Sequence, residues 1–195
     1  MARHKEFDRD SALALALDVF WENGYGNTST DVLLGRMKIS RQSLYDTFGD
    51  KKHLYLEALK AYTEKSIGEA IRHLNKPQRP LAGIEEMLVA LASKPAKERV
   101  LGCMGVNAVC EFGSADPDVM NAMAEPSGRL MEALQDRLRE AKAQGEVADD
   151  LDESGGAMFV NSIMNAIRVS ARAGAPKPAL VAMAKFTLDG IRRRQ

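Results

Sequence analysis

The sequence predicts an all-α fold of about nine helices, with a small N-terminal three-helix domain and a larger C-terminal helical domain. Apolar residues recur three and four positions apart in long stretches of the 195-residue chain, which is the spacing of one helix face. Capping residues and glycines separate these stretches, and the chain contains only 7 Pro. A composition of 45% hydrophobic and 28% charged residues is typical of a globular protein.

The first helix is predicted over about residues 8–23. Leu17, Phe20 and Trp21 lie on one apolar stripe of this helix, and Gly24 ends it. Two short helices follow and meet at a tight turn. Thr28 and Ser29 are N-cap residue types before the first, the turn falls at residues 38–39, and Ser40 caps the second.

The second short helix has one buried and one polar face. Leu44 and Phe48 are four residues apart and share the buried face, and Gly49 closes the helix. Two helices joined in this way over about residues 29–48 are typical of a helix-turn-helix, which sets its second helix into the major groove of DNA. We therefore predict a DNA-binding domain over residues 1–54. The side chains on its polar face can all hydrogen-bond to a base edge or a phosphate: Arg41, Gln42, Ser43, Tyr45 and Thr47.

This stretch resembles the N-terminal domain of the TetR (tetracycline-repressor-like) family of transcriptional regulators. Two positions depart from the family pattern: Lys38 stands where Gly is usual, and Val32 where Asp is frequent. Lys accommodates positive φ poorly, so the first departure argues against a left-handed turn residue there. The resemblance covers some forty residues and rests on Phe20-Trp21, Gly24-Tyr25, Thr28-Ser29, Ile39-Ser40, Leu44-Tyr45, Phe48-Gly49, Lys51 and Leu54.

The start of the recognition helix is where base edges are reached, so we expect Arg41, Gln42 and Ser43 to read bases. Phosphate contacts are expected from Thr28, Ser29, Tyr45 and Lys51. The charge balance alone argues weakly against a nucleic-acid partner, because Lys and Arg total 27 and Asp and Glu also total 27. Five of the eight basic residues among positions 1–53 nevertheless fall between 36 and 52. A basic arm, Arg3-His4-Lys5, is either a further DNA contact or a solvated terminus.

Residues 55–195 are predicted to form a helical effector-binding and dimerisation domain. A long helix over about 51–74 connects it to the DNA-binding domain, and a helix near 81–92 follows. The segment 101–113 is predicted as an apolar helix opened by Gly102-Cys103; with Val106-Asn107 it resembles one subgroup of TetR C-terminal domains, in which this run lies beside the effector pocket. The candidate pocket residues are Cys103, Asn107, Phe112, Met131, Asn161 and Asn165.

Three further helices are predicted over about 117–144, 152–173 and from 178 to the C-terminus. Pro126 is expected to kink or interrupt the first of them. The last two helices are apolar on more than one side, which predicts a homodimer built on both of them; the alternative is a helix pair buried in its own domain. Asn161, Asn165 and Arg168 share one helix face, and hydrogen bonding across the dimer seam is favoured over ligand contact for that face.

Several chemistries find no support in the sequence. No apolar run reaches the roughly 18 residues of a membrane span and no secretory signal is present, so we expect a cytoplasmic protein. Cys103 and Cys110 are roughly 10 Å apart along one predicted helix, too far to form a disulfide or to share one zinc ion. Ser154-Gly155-Gly156 lacks a catalytic context, and there is no nucleotide-binding glycine motif. No catalytic residue, cofactor or metal is predicted.

The resemblance implies a DNA-binding regulator, most simply a repressor that a small-molecule effector releases from a palindromic operator. Within the same family, an activator or a thiol sensor acting through Cys103 is the alternative. A helical interaction module or an α-helical enzyme without a DNA role is the alternative from another class, but it leaves the polar face of the recognition helix unexplained.

Overall fold

The computed structural model describes residues 7–113 and 115–192, and these form ten α-helices with no named strand. The basic arm at residues 3–5 lies outside the described residues. None of the helices in the described ranges has both the length and the hydropathy needed to cross a membrane. The helices are α1 (Arg9–Asn23), α2 (Thr30–Met37), α3 (Arg41–Phe48), α4 (Lys51–Leu74), α5 (Pro80–Ala92), α6 (Ala96–Arg99), α7 (Met104–Phe112), α8 (Pro117–Ala143), α9 (Glu153–Arg172) and α10 (Lys177–Ile191).

The chain forms two compact units, and neither is continuous in sequence. The first, called here the head unit, comprises Met1–Glu64 and Met104–Ala124. The second, called the helical unit, comprises Lys65–Cys103 and Glu125–Gln195. The head unit therefore contains α1 to α3, much of α4, all of α7 and the start of α8. The helix α7, which begins more than fifty residues after the helix-turn-helix ends, thus belongs to the same compact unit as the helix-turn-helix.

For the two short helices of the head unit, the predicted cap Ser40 is confirmed, and Ser29 is the one of the two N-cap candidates that caps α2. Asp8 caps α1 and accepts the backbone N–H of Ser11, while Ser29 caps α2 and Ser40 caps α3. Each cap satisfies one of the amides that a helix start leaves without a partner, and is worth about 1 kcal/mol. The core beneath them includes Phe20, Leu33, Leu44, Phe48 and Tyr55, all buried.

The turn between α2 and α3 differs from the expectation. Lys38 has φ 55° and ψ 43°, the left-handed conformation, and it is the one non-glycine residue with positive φ in the described part of the chain. Its backbone N–H donates to the Leu34 carbonyl and closes α2. An L residue in this conformation costs roughly 1–2 kcal/mol. The flanking apolar residues Leu33, Met37 and Leu44 are buried on both sides of the turn, and their packing holds it against this cost.

The helical unit packs α5 against α9 and α10 around a core that includes Ile84, Leu88, Val160, Ile167 and Leu188. The closest approach in this unit is between the start of α5 and the end of α4. A Cβ atom on Gly83 would lie 2.1 Å from the Leu74 carbonyl oxygen and 2.8 Å from Arg137 Nη2. Only glycine therefore fits at this crossing without a backbone shift.

Three other details depart from the predicted elements. The segment after α5 contains the four-residue helix α6, which is not among the predicted helices. The apolar helix predicted from residue 101 begins at Met104 instead, because Gly102 has φ +69° and Cys103 precedes the first turn. Pro126 does not interrupt α8, which continues through it from Pro117 to Ala143; of the two predicted effects, the interruption is excluded and the kink stays a prediction. Leu130, Leu134 and Leu138 are buried along the part of α8 that follows Pro126, and this packing keeps the helix in place.

Replacing Gly83 with Ala should destabilise the protein by about 1–3 kcal/mol, because the added methyl group forces α5 away from the Leu74 carbonyl. Gly128→Ala is the matched control, since Gly128 lies within α8 and a Cβ atom there meets nothing within 4 Å. That change should stabilise by roughly 0.5–1 kcal/mol, the helix-propensity difference between the two residues. Urea unfolding of both variants measures the two free energies. Equal effects of the same sign would contradict the close approach.

Candidate nucleic-acid interface

The solvent-facing side of α3 presents polar groups, while its other side anchors the helix. Leu44 and Phe48 are buried, as predicted from their four-residue spacing. Arg41, Gln42 and Tyr45 are exposed. Ser43 and Thr47 are half-buried at the edge of the same surface. All five predicted residues therefore lie on α3, and three of them are exposed at its surface.

The two longest side chains that are predicted to read bases, Arg41 and Gln42, each contact an acidic residue. The Arg41 guanidinium lies 2.6 Å from the Asp31 carboxylate of α2, and both groups are largely exposed. Gln42 Nε2 donates to Asp46 Oδ1 at 2.7 Å, one turn further along α3. Ser43 Oγ lies 2.8 Å from Ser40 Oγ and its backbone N–H donates to the same oxygen at 3.0 Å. These partners must be exchanged before Arg41 or Gln42 binds a base.

The two residues expected to hold a phosphate at the start of α2 differ in exposure. Ser29 is exposed and its Oγ accepts the Val32 N–H at 3.3 Å. Thr28 is only 1% exposed, and its hydroxyl donates to the Gly24 carbonyl at 2.6 Å. The Thr28 hydroxyl therefore closes the turn before α2, and the predicted phosphate contact of this residue stays a prediction.

The two lysines at the start of α4 are held by groups of the head unit. Lys51 Nζ lies 4.0 Å above the Tyr25 ring. Burial lowers the pKa of Lys51, and the nearby Glu111 carboxylate opposes that shift. Lys52 forms an ion pair with Asp116 at the start of α8. The hydrogen bond from Lys52 lowers the pKa of Asp116, so this carboxyl is charged at neutral pH.

An aromatic cluster joins α1, α4 and α7 within the head unit. The Tyr55 ring lies 5.1 Å from Phe20, 5.1 Å from Tyr25 and 5.6 Å from Phe112, measured between ring centroids. Burial raises the pKa of Tyr55 far above its ordinary value, with smaller contributions from Glu111 and Asp116. The ring therefore remains neutral and serves packing. Sequence reasoning missed this cluster and the roles of Glu111 and Asp116, because only the folded chain brings positions near 25, 55 and 112 together.

The six candidate pocket residues are divided between the two units. Asn107 and Phe112 belong to the head unit, and Phe112 packs in its aromatic cluster. Met131 packs against the core of the helical unit, which also contains Asn161 and Asn165. Cys103 is buried and Cys110 is exposed. Their grouping into one pocket stays a prediction.

Arg168 stands out among the polar groups of the helical unit because it is 9% exposed. Its Nη2 donates to Ser66 Oγ at 3.1 Å and its Nη1 to Asn165 Oδ1 at 3.4 Å. Both partners are neutral oxygens. The contacts described for this guanidinium thus leave its charge without a carboxylate.

A helix-turn-helix whose second helix exposes polar side chains is characteristic of one class of DNA-binding proteins. Residues 12–58 match the family described as "Bacterial regulatory proteins, tetR family", and residues 79–186 match "Tetracyclin repressor-like, C-terminal domain". The chain belongs to the TetR family of transcriptional regulators, which bind DNA and are not enzymes. The resemblance inferred from the motif and the all-α fold class are both confirmed.

The chain is similar over most of its length to two curated proteins. It is 35% identical to the HTH-type transcriptional regulator YezE of Bacillus subtilis (strain 168) over 163 residues, 83% of this chain and 84% of that protein. It is 28% identical to the HTH-type transcriptional repressor ComR of Escherichia coli (strain K12) over 188 residues, 95% of this chain and 90% of that protein.

Among solved structures, it is similar to a cysteine mutant of the TetR family regulator CifR. That protein was solved in complex with 26-bp double-strand operator DNA, and the two structures superpose with a TM-score of 0.84. The sequences are 29% identical, and the match covers 96% of this chain and 98% of that chain.

The Arg41–Asp31 ion pair leads to a prediction about the affinity of the protein for unrelated DNA. Asp31→Asn should raise affinity for a random duplex roughly 2- to 5-fold, because Arg41 is released and an exposed ion pair is worth up to about 1 kcal/mol. Asp46→Asn is the matched control, since it removes the same charge from the head unit but leaves Arg41 paired. Fluorescence anisotropy at one fixed salt concentration compares the two. An equal gain for both variants would mean that net charge alone decides.

Proposed function

We propose that the protein is a repressor that binds a near-palindromic operator as a homodimer and leaves it when a small-molecule effector binds. The observation that carries the DNA-binding part is the exposed face of α3, where Arg41, Gln42 and Tyr45 project from a helix anchored by Leu44 and Phe48. The repressor assignment is supported by similarity to ComR, which is described as a repressor. We place its action in the cytoplasm, where the DNA lies.

Within this proposal, Arg41, Gln42 and Ser43 read base edges, because they occupy the first turn of the recognition helix. Tyr45, Ser29 and Lys51 position the head on phosphates. Tyr45 is well suited to this, since its ring is 45% exposed and its hydroxyl is a donor. Thr47 is assigned a peripheral contact, because its side chain is half-buried.

The dimer part is supported by apolar side chains left in solvent on α9 and α10. Phe186 is 80% exposed, Met158 61% and Val169 53%. Met158 and Val169 are separated by about three helical turns, so they lie on one face of α9. Exposed apolar groups of this size on neighbouring helices favour a covering partner, and a second copy of the same pair forms a four-helix interface. A two-fold dimer in turn requires a near-palindromic operator.

The effector part rests on the polar groups of the helical unit. The Arg168 guanidinium is the proposed anchor, because it is buried, donates to the neutral oxygens of Ser66 and Asn165, and would gain a charge-assisted hydrogen bond from an incoming anionic acceptor. Asn165 already contacts Arg168 and would share such a ligand. If an effector weakens operator binding, thermodynamic linkage requires that the operator-bound protein binds the effector less tightly than the free protein does.

A reporter fused to the protein's own promoter region tests repression and readout together. Wild-type protein should silence the reporter in a strain lacking the gene, and Arg41→Ala should restore expression. Loss of a bidentate contact to guanine costs roughly 1–3 kcal/mol.

Tyr45→Phe should weaken binding to operator and random duplexes alike, since it removes a phosphate contact. If Arg41→Ala lowers affinity for both duplexes equally, Arg41 does not read bases; an unchanged reporter with wild type would refute the repressor.

Phe186→Asp should convert the dimer to monomer, because the interface would bury an unpaired charge. Val100→Asp is the control: Val100 is 56% exposed, lies outside α9 and α10, and should leave the dimer intact. Ile163 is less suitable as a probe, since it packs against the core of its own unit and its replacement would destabilise the fold. Sedimentation velocity measures the oligomeric state. A dimeric Phe186→Asp removes this side chain from the seam, and a monomeric wild type refutes the dimer.

A further inference from the structure

The turn between α1 and α2 is held by a carboxylate from α7. Glu111 Oε2 accepts the backbone N–H of Tyr25 at 3.0 Å, and Glu111 Oε1 accepts that of Gly26 at 2.6 Å. Two successive amides thus point at one carboxylate, the arrangement by which backbone turns bind anions. The partners are 86 and 85 residues apart in sequence, yet all three belong to the head unit.

The backbone at this turn is shaped for the carboxylate. Gly24 has φ +78°, and a Cβ atom there would lie 3.1 Å from Glu111 Oε2. A Cβ atom on Gly26 would lie 3.1 Å from Glu111 Oε1. Side chains at either position would crowd the acid, so the two glycines allow the amides to approach it. The family resemblance explains Gly24-Tyr25 as a pattern, whereas the contact with Glu111 supplies a physical reason for the approach.

Neighbouring contacts hold α7 in position to deliver Glu111. The Phe112 ring lies 5.4 Å from the Tyr25 ring. Lys52 Nζ lies 4.8 Å from the Phe112 ring centroid, and the same ammonium pairs with Asp116 beyond α7. The aromatic contact of Phe112 and the ion pair of Asp116 thus hold the C-terminal end of α7, which is the end that carries Glu111.

We propose that Glu111 is a positioning residue for operator binding, acting through the α1–α2 turn on the phosphate-contacting start of α2. Thr28 transmits the effect: its N–H donates to the Tyr25 carbonyl at 3.3 Å and its hydroxyl to the Gly24 carbonyl. Ser29, the N-cap of α2, is the next residue. A fixed turn presents the α2 amides to a phosphate without an ordering cost at binding. The inference rests on the proposed contact between α2 and the DNA backbone.

When Glu111 is removed, the loss of its charge and the loss of its positioning role predict opposite changes in DNA affinity. An acid in a DNA-binding unit repels phosphate, so removing it by charge alone should strengthen binding. If Glu111 positions the turn, its removal should weaken binding despite the gained charge. Asp118 is the matched control, since it is an exposed acid in the first turn of α8 within the same unit.

The experiment measures Kd for a duplex of the protein's own promoter region and for a random duplex. It compares wild type, Glu111→Ala, Glu111→Gln and Asp118→Ala. Glu111→Ala should lose about tenfold on the promoter duplex, a change of about 1.4 kcal/mol. Glu111→Gln keeps one acceptor oxygen and should fall between, while Asp118→Ala should bind both duplexes as tightly as wild type or more so. Amide hydrogen exchange at Tyr25 and Gly26 should accelerate in both Glu111 variants and not in Asp118→Ala.

The outcomes separate the inference from the proposed function. Wild type that binds neither duplex refutes the DNA-binding role and the inference with it. If wild type binds and Glu111→Ala binds equally or more tightly while exchange at Tyr25 and Gly26 accelerates, the turn does not control binding and the inference is wrong. Unchanged exchange in both variants would show that the carboxylate does not hold the turn. Should Glu111→Ala fail to fold, the promoter affinity of Glu111→Gln decides in the same way.

Discussion

The two hydrogen bonds from the α1–α2 turn to the Glu111 carboxylate are the interaction on which the arrangement of the head unit depends. It joins α7 to a unit whose other helices are α1 to α3, much of α4 and the start of α8. Around it, Phe20, Tyr25, Tyr55 and Phe112 pack edge to face or tilted, and burial keeps the Tyr55 hydroxyl neutral. The bonds are few but made by a charged acceptor, and charge-assisted hydrogen bonds are roughly twice as strong as neutral ones.

A chain without net charge binds DNA through placement and pairing of its charges rather than through their sum. The cations near the recognition helix are not free: Arg41 faces Asp31, Lys51 covers a tyrosine ring and Lys52 is paired with Asp116. Exposed pairs of this kind are weak in water, so a phosphate or guanine can replace the carboxylate. On the proposed readout by Arg41, such pairing should weaken binding to unrelated DNA more than binding to the operator, because only the operator would supply the matching base contacts in return.

The helical unit is organised differently, around aliphatic packing with few polar groups inside. Its tightest point is the contact of Gly83 with the end of α4, where Arg137 also donates to the Pro77 carbonyl at 2.7 Å. Arg168 and Thr187 are the buried polar residues described in this unit, and Arg168 donates to Ser66 Oγ and to Asn165 Oδ1. Phe186, Met158 and Val169 mark the surface that a second copy would cover.

The sequence by itself determined the helices, the caps and the recognition motif, because these depend on contacts within one or two turns. Ser29 and Ser40 each bond an amide three residues away, and Leu44 and Phe48 share a face by spacing alone. Only the tertiary structure decided the burial of Thr28, the left-handed Lys38 and the carboxylate of Glu111 at Tyr25 and Gly26. A turn's strain is tolerated when distant packing outweighs it, and a hydrogen bond across 86 residues leaves no periodic trace in sequence. Helices and caps depend on residues three or four positions apart and can therefore be predicted from sequence, whereas long-range contacts exist only after the chain has folded.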